Sequence, residues 1–186
     1  MTTATATDTT NLTGTYTLDP AHSTIGFVAR HAMVTKVRGS FDDFEGTIVV
    51  DGSNPSASTA AVTIQAASID TRNADRDAHL KSNDFFNMDE FPEITFASTA
   101  VTSDGDDYTL TGDLTIKGVT KPVTIDFEFT GAATDPFGNH RIGFEGSVDV
   151  NRKDWGIEWN APLETGGVLV SEKVKLTFDV SAIKSV

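Results

Sequence analysis

The sequence predicts an all-β protein of about eight antiparallel strands with a short helix near one end, and three observations carry that expectation. Apolar and polar residues alternate with period two in segment after segment. Clusters of Gly, Asp, Asn and Pro separate the segments. Only two stretches break the alternation, and both are short enough to fold over the end of a β-structure.

The alternation begins with Ile25, Phe27 and Ala29 set against Thr24, Gly26, Val28 and Arg30. Phe44, Gly46, Ile48 and Val50 follow, then Val62, Ile64 and Ala66, then Ile94, Phe96 and Ser98, then Leu110, Gly112, Leu114 and Ile116. The second half is cleaner: Val123, Ile125, Phe127 and Phe129; then Ile142, Phe144, Gly146, Val148 and Val150; then Val174, Leu176, Phe178 and Val180. Successive strand side chains point to opposite faces, so each segment has one dry and one wet face. Parallel strands would be apolar on both faces, so these are antiparallel. Asp51-Gly52-Ser53-Asn54-Pro55, Asp104-Gly105-Asp106, Lys117-Gly118 and Asp135-Pro136-Phe137-Gly138-Asn139 supply the turns.

Half-buried strands in this number either face a second sheet or close on themselves. The inward set includes Gly46, Gly112, Gly146, Ala29, Ala66 and Ser98 among larger residues. Glycine weakens a strand, so its presence has a reason: either the strand bends there, or small residues leave the interior unfilled. An eight-stranded barrel is at the size where side chains fill the interior or leave room for one ligand. The sequence leans towards a barrel with a cavity.

Of the two interruptions, residues 73–81 read as a short helix, with Asn73 as N-cap, acids in the first turn and Asp77 four residues before Lys81. An apolar cluster, Phe85, Phe86 and Met88, comes after it. The other stretch, residues 152–170, carries Trp155, Ile157, Trp159, Pro162 and Gly166-Gly167.

A chain of 186 residues suits one domain, read here as residues 13–186, and no repeat or linker divides it. Met1 to Leu12 is nearly all Thr, Ala, Asp and Asn and reads as a flexible tail. The absence of cysteine excludes disulfides, zinc–thiolate sites, iron–sulfur clusters and thiol nucleophiles. The net charge of −13, from 14 basic and 27 acidic side chains, disfavours nucleic acid and, for the same reason, an anionic membrane surface. The first residues hold neither a basic nor an apolar signal region, and no integral membrane segment is visible, so a cytoplasmic location is the expectation.

Several blocks, in one order, resemble the YceI-like family of polyisoprenoid-binding proteins from about Gly14 to Ile183. They include Asp19-Pro20-Ala21-His22-Ser23-Thr24-Ile25-Gly26-Phe27, Val37-Arg38-Gly39-Ser40-Phe41-Asp42-Asp43-Phe44-Glu45-Gly46 and Ser68-Ile69-Asp70-Thr71. Arg76-Asp77-Ala78-His79-Leu80-Lys81-Ser82-Asn83-Asp84-Phe85-Phe86, Phe91-Pro92-Glu93-Ile94-Thr95-Phe96, the block 112–123 and Asn151-Arg152-Lys153-Asp154-Trp155-Gly156 continue it. The resemblance implies a lipocalin-like antiparallel β-barrel with an elongated apolar tunnel for an isoprenoid or similar long-chain lipid, such as an isoprenoid quinone or polyprenyl phosphate. Many members of that family are periplasmic, where this sequence shows no signal.

Inward parity then gives the candidate ligand-binding residues. Phe27, Ile48, Ile64, Phe96, Leu114 and Ile116 come from the earlier segments, and Phe127, Phe144 and Phe178 from the later ones. Phe85, Phe86 and Trp155 are either packing between crossing segments or a lid, together with Trp159. His31 shares parity with Phe27 and Ala29 and is the candidate headgroup contact at a mouth, set against a histidine bonded to a neighbouring loop.

Catalysis is not expected. Asp19, His22 and Ser23 lie within five residues, but His22 and Ser23 would face opposite ways on one strand, so capping of the strand start is the better reading. Asp75 and His79 are better read as a surface ion pair than as metal ligands, because no third ligand accompanies them. Arg76 and Asp77 read as a salt bridge, mutual or with a near neighbour, that pins the helix. No metal or cofactor is implied. The rival readings are an enzyme on an apolar substrate with His31 or His22 as base, and a filled barrel that binds a protein partner. A homodimer is compatible with the exposed aromatics.

Overall fold

The computed structural model describes residues 10–185. Its sheet closes on itself as an antiparallel barrel of eight long staves, each the hydrogen-bonded neighbour of the next in the chain. Three staves are interrupted. The first is β1 (Gly14–Leu18) continued by β2 (Thr24–His31) through a 3-10 turn at Pro20–His22. The second is β3 (Thr35–Phe41) continued by β4 (Phe44–Val50), and the third is β5 (Thr59–Gln65) continued by β6 (Ile69–Asp70). Five unbroken strands complete the ring: β7 (Glu93–Asp104), β8 (Asp107–Ile116), β9 (Val119–Thr134), β10 (His140–Asn151) and β11 (Lys173–Lys184). The ring closes where β11 pairs with both halves of the first stave, Leu18 opposite Ala182 and Ile25 opposite Phe178.

The eight alternating segments are all strands, and the structure adds β1, β3, the two-residue β6 and the far half of β7. β1 buries only Tyr16 and Leu18 between threonines and a glycine, too short a run for its period to stand out. The outer part of β3 is one arm of an exposed ribbon beyond the barrel rim, and only Phe41 at its inner end is buried, too little for a period to stand out. Ala66, counted in the strand alternation, starts a 3-10 turn and is fully buried. Extra residues bulge β7 between Ser98 and Ala100, and β9 opposite the Gly143–Phe144 step, which bends the wall towards closure.

The inward glycines do not leave empty space. A Cβ on Gly39, Gly112 or Gly146 would run into the ring of Phe27, Phe96 or Phe127 respectively, and one on Gly46 into Leu18. Phe27 and Phe127 sit directly opposite Gly39 and Gly146 in the strand register. These rings lie flat on the wall where glycine leaves a shallow seat. The centre of the barrel therefore stays open although the wall is densely covered.

One end of the barrel is roofed by the helix α1 (Ala74–Lys81) and the chain on either side of it. Asn73 caps α1, accepting from the Arg76 amide at 3.0 Å. Arg76 and Asp77 do not pair with one another; both fasten to buried Thr71. The Thr71 hydroxyl donates to Asp77 at 2.6 Å and accepts from Arg76 Nε at 2.7 Å. A hydroxyl can do both at once, which makes it a better clasp than a direct bridge between adjacent helix residues that point apart. At the opposite end Thr10–Leu12 form a 3-10 turn, and Leu12 packs on the core while its carbonyl accepts from the Tyr16 hydroxyl at 2.9 Å. The stretch read as a tail is thus ordered at its last three residues; residues 1–9 lie outside the described ones.

Candidate ligand cavity

The barrel encloses a cavity of about 290 Å³ that runs its length. Leu12, Gly52 and Pro55 border one end; Phe86, Trp155, Ile157 and Val170 border the other. Between them the wall is aliphatic and aromatic. Phe127 and Phe178 lie 5.7 Å apart, and Phe129 and Phe144 5.4 Å apart, with Tyr108 edge-on to Phe144. Trp155 is anchored by its indole N–H, which donates to the Leu114 carbonyl at 2.9 Å.

Two ionisable groups other than Tyr108 border this space, and they differ. Asp51 spends its carboxylate on its own turn, accepting from the Ser53 hydroxyl and from the Ser53 and Asn54 amides, which holds its pKa below the ordinary value. Arg152 is only 6% exposed and follows β10 in the 3-10 turn Arg152–Trp155. It donates to the Ser171, Ile157 and Val170 carbonyls at 2.9, 2.7 and 3.4 Å. A guanidinium has five N–H groups, so two remain uncommitted. The nearby carboxylate, Glu172, is paired with Lys153 at 2.8 Å, and Arg152 makes no ion pair among the described residues. Burial lowers the Arg152 pKa, with Glu172 opposing.

The YceI-like domain model matches residues 16–182. The chain belongs to the YceI-like family. It is 44% identical over 168 residues to the UPF0312 protein SA2479 of Staphylococcus aureus strain N315, covering 90% of this chain and 95% of that one. Among solved structures, the Campylobacter jejuni YceI protein superimposes with a TM-score of 0.72 at 30% identity, covering 84% of this chain and 90% of that one. A polyisoprenoid binding domain from Saccharophagus degradans superimposes with a TM-score of 0.71 at 17% identity, covering 91% and 98%.

In this YceI-like barrel the structure gathers twelve of the thirteen sequence-derived candidates on the cavity wall. Phe27, Ile48, Ile64, Phe96, Leu114 and Ile116 line it from the earlier strands. Phe127, Phe144, Phe178 and Trp155 line it from later strands and the turn after β10, and Phe85 and Phe86 from the segment after α1. His31 does not. It is exposed and sits beyond the rim, bridged to Val170 at the end of the β2–β3 ribbon. It shares the parity of Phe27 and Ala29, which line the cavity, but lies beyond the last strand residue that does. Trp159 also stays off the wall, edge-on to His79 at 4.6 Å and tilted against Phe85 at 5.4 Å.

The remaining polar candidates do other work. His79 bonds Asp84 at 2.9 Å rather than Asp75. His22 bonds Asp19 at 2.7 Å, while Ser23 faces away and exchanges hydrogen bonds with the Ser181 backbone. Asp19 also caps its 3-10 turn and accepts from Arg141 at 2.8 Å, and Arg141 reaches Asp135 at 2.8 Å. The Arg141 guanidinium, followed by His22, holds the Asp19 carboxyl low, and Arg141 holds Asp135 well below the usual carboxylate range. Sequence reasoning missed Arg152, which keeps the inward parity of Ile142 to Val150 although it stands in the 3-10 turn that follows the strand.

Proposed function

We propose that this protein holds a long-chain apolar ligand, with an isoprenoid chain as the first choice, inside the barrel as a carrier or reservoir. The observation that carries this reading is the cavity, continuous along the barrel and apolar apart from its ends. Its volume is at the small end of the range of about 300–1,000 Å³ for ligand sites, which favours a slender chain over a bulky ring system. The likeness to a polyisoprenoid binding domain supports the chemical class. Arg152 gives such a ligand a polar end: its two uncommitted N–H groups suit a phosphate, carboxylate or carbonyl oxygen.

Affinity follows from burial. A chain losing about 400 Å² of apolar surface gains on the order of 10 kcal/mol, and immobilisation costs of several kcal/mol leave roughly micromolar binding. Binding without turnover is the reading for this site, because neither His22 nor His31, the bases a reaction would draw on, borders the cavity.

The test is native mass spectrometry of protein purified from its own host, followed by organic extraction. A co-purifying species of one mass, released by solvent and identified as a long-chain lipid, is the expected result. Bare polypeptide with no uptake of added isoprenoid quinone or polyprenyl phosphate would overturn it.

A further inference from the structure

The net charge hides a local exception. The ribbon formed by β2 and β3 projects past the rim at the α1 end, where Ala29 and Val170 border the cavity. On its outer face Arg30 lies directly opposite Lys36, and Arg38 lies two residues farther along the same face. Like charges placed opposite one another across a strand pair repel. All three side chains are exposed, and none makes an ion pair among the described residues. From Arg30 to Arg38 the chain holds no acid.

The tip of the ribbon is apolar. Met33 is 65% exposed and Val34 73%, although large apolar side chains at a turn gain nothing from facing water. Ala32 and Met33 are both in the left-handed region, at φ 50° and 62°, where residues other than glycine are strained. The ribbon is braced in this shape by the segment beside it: the Ala32 amide donates to the Leu169 carbonyl at 2.7 Å, and the Ser171 amide to the Arg30 carbonyl at 3.1 Å. Two exposed apolar side chains are thus held out on a hydrogen-bonded tip behind which three cations without an ion pair are displayed, Arg30 donating to the Val34 carbonyl at 3.3 Å.

We propose that this ribbon docks the protein on an anionic lipid surface, the tip entering the headgroup layer and Arg30, Lys36 and Arg38 meeting lipid phosphates. Apolar insertion plus attraction to anionic lipid is the general basis of interfacial binding. The acidity elsewhere does not prevent it. The acidic row Glu128, Glu145 and Asp179 lies level with Thr24 in the barrel wall, six residues down β2 from Arg30. That is roughly 20 Å, more than two screening lengths of about 8 Å at physiological salt. Nearer acids are engaged elsewhere: Asp42 and Asp70 bond Ser40 and the Arg72 amide, Asp149, level with Val28, pairs with Lys173, and Glu172, next to the Ser171 that bonds Arg30, pairs with Lys153. Glu164 lies in the turn whose Gly167 abuts Met33. The same charge separation orients the molecule, with its acidic wall away from the bilayer and the ribbon end of the cavity towards it.

The experiment is co-sedimentation of the full chain with vesicles of phosphatidylcholine alone and of phosphatidylcholine with phosphatidylglycerol in equal parts, at low and at physiological salt. Binding to the anionic vesicles that weakens with salt is expected. Each basic residue near such a surface is worth about fivefold in affinity, so Arg30→Glu, Lys36→Glu and Arg38→Glu together lose at least about a hundredfold. Met33→Asp with Val34→Asp lowers binding to anionic vesicles while leaving the three cations in place. Uptake of a fluorescent polyene fatty acid in solution is measured in parallel and stays unchanged in both variants, which shows that they fold. Absence of binding at low salt, equal binding to both vesicle types, or undiminished binding by either variant would overturn the proposal. Lost fatty-acid uptake with vesicle binding intact would strike the ligand reading and leave this one standing.

Discussion

Arg152 brings a full charge to the edge of an apolar lumen, and its three carbonyl partners satisfy only part of it. Removing a charged donor from such partners leaves buried carbonyls unsatisfied, so Arg152→Met is expected to destabilise the fold by on the order of 3 kcal/mol, measured by urea unfolding. Arg152→Lys, which keeps the charge but not the planar fork, recovers part of that. The ligand readout is separate. Wild-type protein is expected to hold a phosphate-ended chain at least about tenfold tighter than the same chain ended in a methyl group, and Arg152→Met removes that preference. Equal retention of both by the wild type would limit Arg152 to a structural clamp. Parity alone did not single out these two residues correctly. His31 shares the parity of Phe27 and Ala29 but lies past the end of the barrel, whereas Arg152 continues the inward parity of Ile142 to Val150, and its charge hid it among apolar candidates.

At the scale of the element, the cavity depends on where rings can lie flat. Gly146 offers Phe127 a seat, and a Cβ there would come within 2.6 Å of the ring. Gly146→Ala therefore tips the ring into the lumen. A stability loss of about 1–3 kcal/mol and weaker uptake of a chain probe are expected together, the second measured on protein shown to be folded by circular dichroism. Stability loss with uptake unchanged would mean that the ring moves elsewhere. The sequence shows the glycines but not their purpose, because the pairing of Phe127 with Gly146 depends on the register of the β9–β10 hairpin, which a bulge opposite the Gly143–Phe144 step shifts. A second element-level device ties the Pro20–His22 turn and the 135–139 loop to β10 through Asp19, Arg141 and Asp135. Both carboxyl pKa values are depressed in the folded state, so their stabilisation is complete above the unfolded carboxylate value of about 3.9 and is lost as pH falls through the lower folded values. The melting temperature of Arg141→Met should accordingly lie below that of the wild type at neutral pH, with the gap closing in acid below about pH 4. A gap that stays constant to the lowest pH would assign the loss to packing instead.

For the whole molecule, eight alternating segments were enough to foresee eight staves, since each half-buried strand needs a neighbour on both sides and closure supplies it. The break in the first stave was not legible, because Tyr16 and Leu18 meet Lys184 and Ala182 only across the completed ring. What closure leaves inside is a lumen of definite length. From Ile142 to Val150, both on its wall, β10 runs eight residues, which at a tilt near 40° is roughly 20 Å along the axis. Each methylene transferred into that space contributes about 0.8 kcal/mol, or roughly fourfold in affinity. Across a homologous series of straight-chain fatty acids, binding measured by probe displacement is expected to tighten by that step until the chain spans the lumen and then to level off. The melting temperature should rise in parallel, because a ligand bound only by the folded state stabilises it by mass action. A break in the slope near 20 Å would mean that the barrel selects its ligand by length. Affinity that keeps rising beyond that length would mean that the chain continues out of one end, and affinity independent of length would mean that the interior is not where the chain binds.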